Sequence, residues 1–167
     1  MRKILRTTAA AAIVAITSGA NAATTTATFQ VSANVLKTCS VSAAALAFGD
    51  YTPGSGASAG STTINVNCTK STTYTVALNG GTTTGGTVAQ RLLVNGTNTL
   101  QYNLYTSNTY ATVFGDGTGT SVTQSGTGSG VGTANAVTVY GHILDNATNQ
   151  TAVPGAYADT ITVTVTY

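Results

Sequence analysis

Charged residues are scarce in this sequence of 167 residues. Lys and Arg together number six, Asp and Glu four, and the charged fraction is 6%, against roughly a quarter in an ordinary globular domain. Trp is absent, and there are one His, two Cys and two Pro. Such a sequence offers little material for acid–base catalysis or a metal centre and no basic patch for nucleic acid. We therefore expect no enzyme, no cofactor, no metal site and no nucleic-acid partner.

Small uncharged residues take the place of the missing charges, with 36 Thr and 19 Gly. Thr, Val, Tyr and Ile favour strands, and several short runs alternate apolar and polar residues, as strands with one buried face do. These runs are 27–35, 64–68, 74–78, 100–104, 137–143 and 161–167, with a further strand interpreted at 46–51 before the turn at Pro53-Gly54. Seven or eight such strands predict an all-β antiparallel sandwich.

The stretch Gly115 to Gly132 is rich in Gly, Ser and Thr. It lacks the Lys that a phosphate-binding loop requires and the regularly placed Asp of calcium-binding glycine repeats. We interpret it as a long flexible hairpin loop.

The first 22 residues have the pattern of a secretory signal peptide. Arg2, Lys3 and Arg6 precede an apolar stretch, and Ala20-Asn21-Ala22 forms a small-x-small cleavage site. The apolar stretch is too short for a membrane span, which needs about 20 residues. Cleavage would leave residues 23–167 with three cations and four anions, a net charge of −1, and we expect no membrane insertion of this part.

Export makes the two cysteines interpretable. Cys39 and Cys68 are the only possible pair, and outside the cytoplasm they are expected to form a disulfide. The alternative is two free thiols with a metal or redox role, which no C-x-x-C spacing supports.

An ordered set of segments carries a family resemblance. They are Cys39-Ser40-Val41, Leu46 to Tyr51, Val66 to Thr69, Tyr74 to Gly81, Leu100 to Tyr105, Val139-Tyr140-Gly141 and Pro154 to Thr160. Together they resemble the spore coat protein U domain family, which includes subunits of archaic, Csu-type chaperone–usher pili. One departure is Phe114, where the family often has Trp before Gly-Asp.

The resemblance implies an incomplete immunoglobulin-like sandwich that lacks its last strand, in residues 37–167, behind an N-terminal donor-strand extension in residues 23–36. A periplasmic PapD-like chaperone would lend the missing strand, and at the outer-membrane usher the extension of another subunit would replace it. The implied function is a structural subunit of a cell-surface pilus that supports attachment or biofilm formation. The donor residues would be Ala27, Phe29, Val31, Ala33 and Val35, and the C-terminal groove and chaperone-contact strand would contribute Ile161, Val163, Val165 and Tyr167.

Several alternatives remain open at this point. The run 27–35 would also suit the first strand of its own domain, and the same domain family serves spore or cyst coats. A monomeric secreted carbohydrate-binding or adhesin module is another reading, in which tyrosines line a sugar-binding surface, although cross-strand or core positions are favoured for them: Tyr102, Tyr105, Tyr110 and Tyr140. A glycosidase pair is not expected, because the aspartates stand in predicted turns where Asp bonds backbone groups: Asp50, Asp116, Asp145 and Asp159.

Overall fold

The computed structural model describes Gly19 and residues 22–167. The rest of the predicted signal peptide, at 1–18, 20 and 21, lies outside the described residues. The chain divides into two units, residues 1–34 and 35–167. In the first unit the described residues 22–34 are exposed and form no strand or helix. The predicted domain boundaries, and the donor role of residues 23–36, stay predictions.

The second unit is built from eight strands in two antiparallel sheets, as the alternating runs predict. The five-stranded sheet has the order β1-β2-β7-β5-β4, and the three-stranded sheet the order β6-β3-β8. The strands are β1 Cys39–Ala43, β2 Ser58–Cys68, β3 Thr73–Leu78, β4 Arg91–Asn95, β5 Asn98–Tyr105, β6 Gln124–Thr127, β7 Asn135–Ile143 and β8 Val163–Thr166, with one 3-10 turn at Asn149–Thr151. Among the described residues there is no α-helix, and so none that could cross a membrane.

The core lies between the sheets and follows from the period-2 pattern. Every second residue at the end of β2 and along β3 is buried, while the Thr and Asn between them lie on the outer faces. The buried apolar side chains are Ile64, Val66, Cys68, Tyr74, Val76, Leu78, Leu100, Tyr102, Leu104, Phe114, Val139 and Ile143. Apolar burial of this kind is what stabilises the sandwich.

Two strand predictions were wrong in detail. Residues 46–51 form no strand, and the terminal strand is limited to Val163–Thr166 rather than 161–167. The run 27–35 belongs to no strand of the sandwich. The interpretation of residues 115–132 as a long flexible hairpin loop was also wrong, because the stretch contains β6, which pairs with β3.

Residues 46–48 pack instead over a glycine pair. Gly60 and Gly141 are directly opposite each other in the β2–β7 register. A Cβ on Gly60 would lie 2.5 Å from the Ala47 carbonyl oxygen, and one on Gly141 would lie 2.8 Å from the Phe48 ring. The two missing side chains make room for Leu46 and Phe48 and explain why this segment lies against the sheet instead of extending it.

One seam between the sheets is closed by the chain itself. Phe114 N–H donates to the Leu104 carbonyl of β5 at 2.9 Å, and Leu78 N–H of β3 donates to the Gly115 carbonyl at 3.0 Å. Phe114 and Gly115, in the segment between β5 and β6, therefore join both sheets through their backbone, and the Phe114 ring is completely buried.

Candidate functional site

At the opposite seam the two sheets end on unpaired edges. β1 pairs with β2 and β8 pairs with β3, and among the described residues neither has a second neighbour. Between these edges lies a cavity of about 340 Å³. It is lined by Ala43, Ala44, Ala45, Leu46, Phe48, Thr62, Ile64, Leu78, Leu93, Tyr102, Leu104, Val139, Asp159, Thr160, Ile161 and Val163. We call this cavity, with its two flanking strands, the open groove.

The β1 side of the open groove presents both apolar side chains and backbone groups. Thr69 N–H donates to the Thr38 carbonyl at 2.9 Å, and Ala44 N–H donates to the Thr63 carbonyl at 3.3 Å. In an antiparallel pair hydrogen-bonded positions alternate, so the N–H and C=O groups of Cys39, Val41 and Ala43 face away from β2. Val41 remains 41% exposed although its partner Val66 is fully buried. This edge therefore lacks the cover that a further strand would give.

The β8 side has the same arrangement. Asn79 N–H donates to the Thr162 carbonyl at 3.2 Å, so the alternation directs the backbone groups of Val163 and Val165 away from β3. Both valines are only partly buried, whereas their register partners Leu78 and Val76 are fully buried. The N–H and C=O groups of this edge can therefore pair with an added strand whose side chains point into the groove.

The four C-terminal residues predicted as groove contacts occupy different positions. Ile161 and Val163 line the cavity, and Val165 packs at the margin of the core. Tyr167 is 56% exposed and lies beside residues of β3 and β6, outside the cavity lining. The assignment of all four as chaperone contacts stays a prediction.

Apolar side chains of the N-terminal segment lie outside the sandwich core. Phe29, Val31 and Val35 are 87%, 82% and 86% exposed, and Ala27 and Ala33 are also exposed. Their alternation with polar residues would place these apolar side chains on one face if the segment were extended. The chain thus contains a groove with open edges and, separately, an alternating apolar segment.

Comparison with known proteins identifies the family. Residues 25–164 match the Spore Coat Protein U domain. The chain belongs to the Spore Coat Protein U domain family. Members of this family are structural proteins without enzymatic activity. No curated protein matches the chain by sequence.

One solved structure has a fold similar to that of this Spore Coat Protein U domain. A chain in the crystal structure of the CsuC–CsuE chaperone–tip adhesion subunit pre-assembly complex, from the archaic chaperone-usher Csu pili of Acinetobacter baumannii, aligns with a TM-score of 0.57 at 23% sequence identity. The alignment covers 80% of this chain and 40% of that chain. The likeness shows a pilin-like fold, and this chain spans less than half of that chain's length.

The predicted disulfide of the Spore Coat Protein U domain is present. Cys39 and Cys68 are bonded, with their Cα atoms 4.1 Å apart, and they face each other at the start of β1 and the end of β2. The cross-link ties one edge of the open groove to the adjacent strand at the point where the N-terminal segment enters the sheet.

A buried arginine, which the sequence pattern did not reveal, fixes the β8 side of the groove. Arg91 is fully buried, and burial lowers its pKa. Its guanidinium donates to the Asn79 carbonyl at 2.7 and 2.9 Å, to the Phe114 carbonyl at 3.0 Å and to Asn103 Oδ1 at 2.6 Å. The Asn79 side-chain oxygen in turn accepts the Thr162 N–H at 2.9 Å. Arg91 therefore positions the residue that holds the start of β8.

A carboxylate borders the groove. Burial alone would raise the pKa of Asp159, but hydrogen bonds from Tyr102, Thr82 and Thr83 outweigh it and hold the pKa below its ordinary 3.8. Burial and the same hydrogen bond raise the pKa of Tyr102. Gly81 allows this approach, because a Cβ there would collide with the Asp159 carboxylate.

Asp145 and Asp116 have structural partners in turns, and Asp50 is exposed. Asp145 accepts hydrogen bonds from the Tyr51 hydroxyl at 2.7 Å and from the Gly54 and Gly56 amides at 3.0 and 2.9 Å. Asp116 accepts from the Thr118 amide at 2.9 Å. Within the residues that the structure describes, no three His, Cys, Asp or Glu side chains form a group that could hold a metal ion.

Proposed function

We propose that this protein is a structural subunit of an extracellular pilus, joined to its neighbours by donor-strand exchange. The observation that carries the proposal is the open groove between β1 and β8. Both of its edges offer backbone groups for pairing, and its lining is mostly apolar, with Thr62, Asp159 and Thr160 as the polar members. Addition of a strand to an open sheet edge is an established mode of recognition, for which chaperone–pilin complexes are themselves among the standard examples.

The N-terminal segment has the chemistry that the groove requires. Residues 27–35 alternate small or medium apolar residues with polar ones, so one face would enter the groove and the other would face water. Burial of Phe29, Val31 and Val35 would contribute on the order of 5–10 kcal/mol before the entropic cost of ordering the segment. Such a segment from a second subunit would complete the fold and form a non-covalent link.

Assembly would need a partner that covers the groove first. Exposed sheet edges promote indiscriminate aggregation, and the related Csu subunit has been crystallised with a chaperone before assembly. We expect a periplasmic chaperone to lend a strand to this groove and an outer-membrane usher to direct the exchange. Export through the periplasm agrees with the Cys39–Cys68 disulfide, which requires an oxidising compartment.

Replacement of Val31 by Asp tests the donor segment. The charge would be buried in the groove of the neighbouring subunit, so polymerisation is expected to fail while chaperone binding persists. Ser32→Asp places the same charge one residue away on the water-facing side and is the matched control. Electron microscopy of surface polymers and co-purification with the chaperone are the measurements. Normal polymers from the Val31→Asp variant would contradict the proposal.

Replacement of Val163 by Asp tests the acceptor side. The side chain lines the groove, so both the chaperone strand and the donor segment should be rejected. Thr164→Asp, on the exposed face of the same strand, is its control. A coat polymer of spores or cysts would use the same joint, and the location of the polymer on the producing cell distinguishes that function from a pilus.

A further inference from the structure

We propose that consecutive copies of this chain also meet end to end, through an ion pair between Lys37 of one copy and Asp50 of the next. This contact rests on the proposed polymer and adds a charged joint to it. Residues 22–167 carry three cations and four anions. The exposed cations lie at one end of the sandwich and the anions at the other, so two copies in line would present opposite charges to each other.

The exposed cations lie at the end of the sandwich that carries the disulfide, where β1 and β3 begin and β2 ends. Lys37 precedes Thr38 and Lys70 follows Thr69, and the Thr69 N–H donates to the Thr38 carbonyl at 2.9 Å. Both lysines are exposed, and among the residues that the structure describes neither has an ion-pair partner. The third cation, Arg91, is fully buried and offers no charge to a second copy. We call this end the lysine end.

The anions lie at the opposite end, where β2 begins and β3 and β7 end. The Asp145 carboxylate, two residues beyond β7, accepts a hydrogen bond from Tyr51, the neighbour of Asp50. Asp116 follows Gly115, whose carbonyl accepts the N–H of the last residue of β3. Asp159 is hydrogen-bonded to the loop that follows β3. We call this end the aspartate end.

Asp50 is the aspartate best placed to bind a second copy. The other three aspartates accept hydrogen bonds within their own chain. Asp50 is exposed and, within the described part of the chain, accepts none. It follows Phe48, which lines the open groove, by two residues. An exposed carboxylate without an internal partner therefore lies near the aspartate end of the groove.

The direction of the added strand decides which ends meet. β8 runs from the aspartate end to the lysine end, because its first residue pairs with the last residue of β3, and β1 runs the opposite way. A strand between them must be antiparallel to one and parallel to the other, so pairing alone favours neither direction. Antiparallel to β8, the donor run 27–35 would leave the groove at the aspartate end, and Lys37, two residues later, would emerge near Asp50. In the other direction lysines would meet lysines, and like charges repel.

The joint is head-to-tail and can therefore repeat along a polymer. An exposed ion pair contributes little to stability by itself, but opposite charges speed encounter and disfavour the wrong orientation. Few other charged groups in residues 22–167 compete with this pair. We infer that the charge distribution selects the direction in which the donor segment enters the groove, while apolar burial holds the segment there.

Charge reversal tests the joint in polymers of the full exported chain. At about 20 mM salt, where screening is weak, Lys37→Glu and Asp50→Lys should each speed dissociation in denaturant roughly threefold. The double variant Lys37→Glu/Asp50→Lys should recover most of the wild-type rate. At about 500 mM salt the differences should vanish, because the Debye length is then only about 4 Å. Thr138→Glu, which places a carboxylate on the exposed face of β7 between the two ends, is the control and should leave the rate unchanged.

The proposal is overturned if the single variants dissociate at the wild-type rate, if the double variant is no slower than the faster single variant, or if Thr138→Glu has an equal effect. If a reversal prevents folding, Lys37→Gln and Asp50→Asn should show a smaller increase in rate, and wild-type rates for both would overturn the joint. Polymers that show no charge effect would leave donor-strand exchange intact. Absence of polymers from the wild-type chain would overturn both proposals.

Discussion

Of the two seams of the sandwich, one is closed and the other is open. At one seam the segment around Phe114 bonds to β5 and to β3, so both sheets share a backbone connection over a fully buried ring. At the other seam β1 and β8 face the open groove with unpaired edges. The difference shows that this chain closes one seam with its own backbone, whereas at the second seam the described residues leave β1 and β8 without a second neighbouring strand.

Truncation of an aromatic residue at the closed seam and of another in the N-terminal segment should give the largest contrast. Phe114→Ala removes a fully buried ring and should destabilise the domain by about 3–5 kcal/mol. Phe29→Ala alters an 87% exposed ring and should leave the stability of the free chain unchanged while weakening polymers. Denaturant unfolding and polymer dissociation provide the two measurements. A large loss of free-chain stability from Phe29→Ala would mean that the segment already covers its own domain.

Loss of the disulfide at the open seam should lower the stability of the domain nearly as much as Phe114→Ala does. The Cys39→Ala/Cys68→Ala variant frees a closed loop of about 30 residues and should lose roughly 3.5 kcal/mol. The loss should be largest for β1, the edge strand that the disulfide holds. Hydrogen exchange of the β1 and β4 amides compares two edge strands of the same sheet. If removal of the disulfide accelerated exchange equally in β1 and β4, the disulfide would have no particular role at the groove.

Two valines opposite each other sharpen the comparison further. Val76 is fully buried and its register partner Val165 is not. In the free chain Val76→Ala should therefore lower the free energy of unfolding more than Val165→Ala does. A copy of residues 23–36 can be appended after Tyr167 through a flexible linker. In that protein the loss of unfolding free energy caused by Val165→Ala should be larger by about 1 kcal/mol. An unchanged cost would indicate that the added segment does not cover β8.

The smallest effect concerns pH. The folded pKa of Asp159 lies below the ordinary 3.8, so its contribution to stability is complete above about pH 4 and is lost as the pH falls from 3.8 toward the folded value. Asp159→Asn should flatten the pH dependence of the unfolding midpoint in that window. Tyr102→Phe removes one hydrogen bond to the carboxylate and should make the pH dependence of the unfolding midpoint partly flatter. An identical acid profile for all three proteins would exclude a role for this carboxylate.

Strands in which apolar and polar side chains alternate were predicted from the sequence. Strands without this alternation were missed. β3 and β5 show a clear period of two, and both were predicted. β4 begins with Arg91 and continues Leu-Leu-Val, without alternation, because the arginine serves as a buried hydrogen-bond donor. β6 contains Gly126, which the Tyr74 ring covers, so no apolar side chain marks the strand.

The open groove was predictable in part. The alternating run 161–167 predicted the strand β8, and the alternating run 27–35 indicates a segment that could pair with an open edge. The position of β1 on the other side of the groove was not predictable, since it depends on the pairing of Cys39–Ala43 with β2. The contribution of Leu46 and Phe48 to the walls depends on the Gly60–Gly141 pair, which becomes apparent only in the folded register.

The place of the disulfide has a mechanical consequence. In a polymer linked through residues 23–36, tension would enter the sandwich at Thr38 and would load β1 in the direction that separates it from β2 one residue pair at a time. The Cys39–Cys68 bond lies beside the first pair to open. We expect single-molecule pulling to show early separation of β1 after reduction and none before it. The bond would then pass the load directly to β2, an interior strand of the five-stranded sheet, and so protect the edge strand β1.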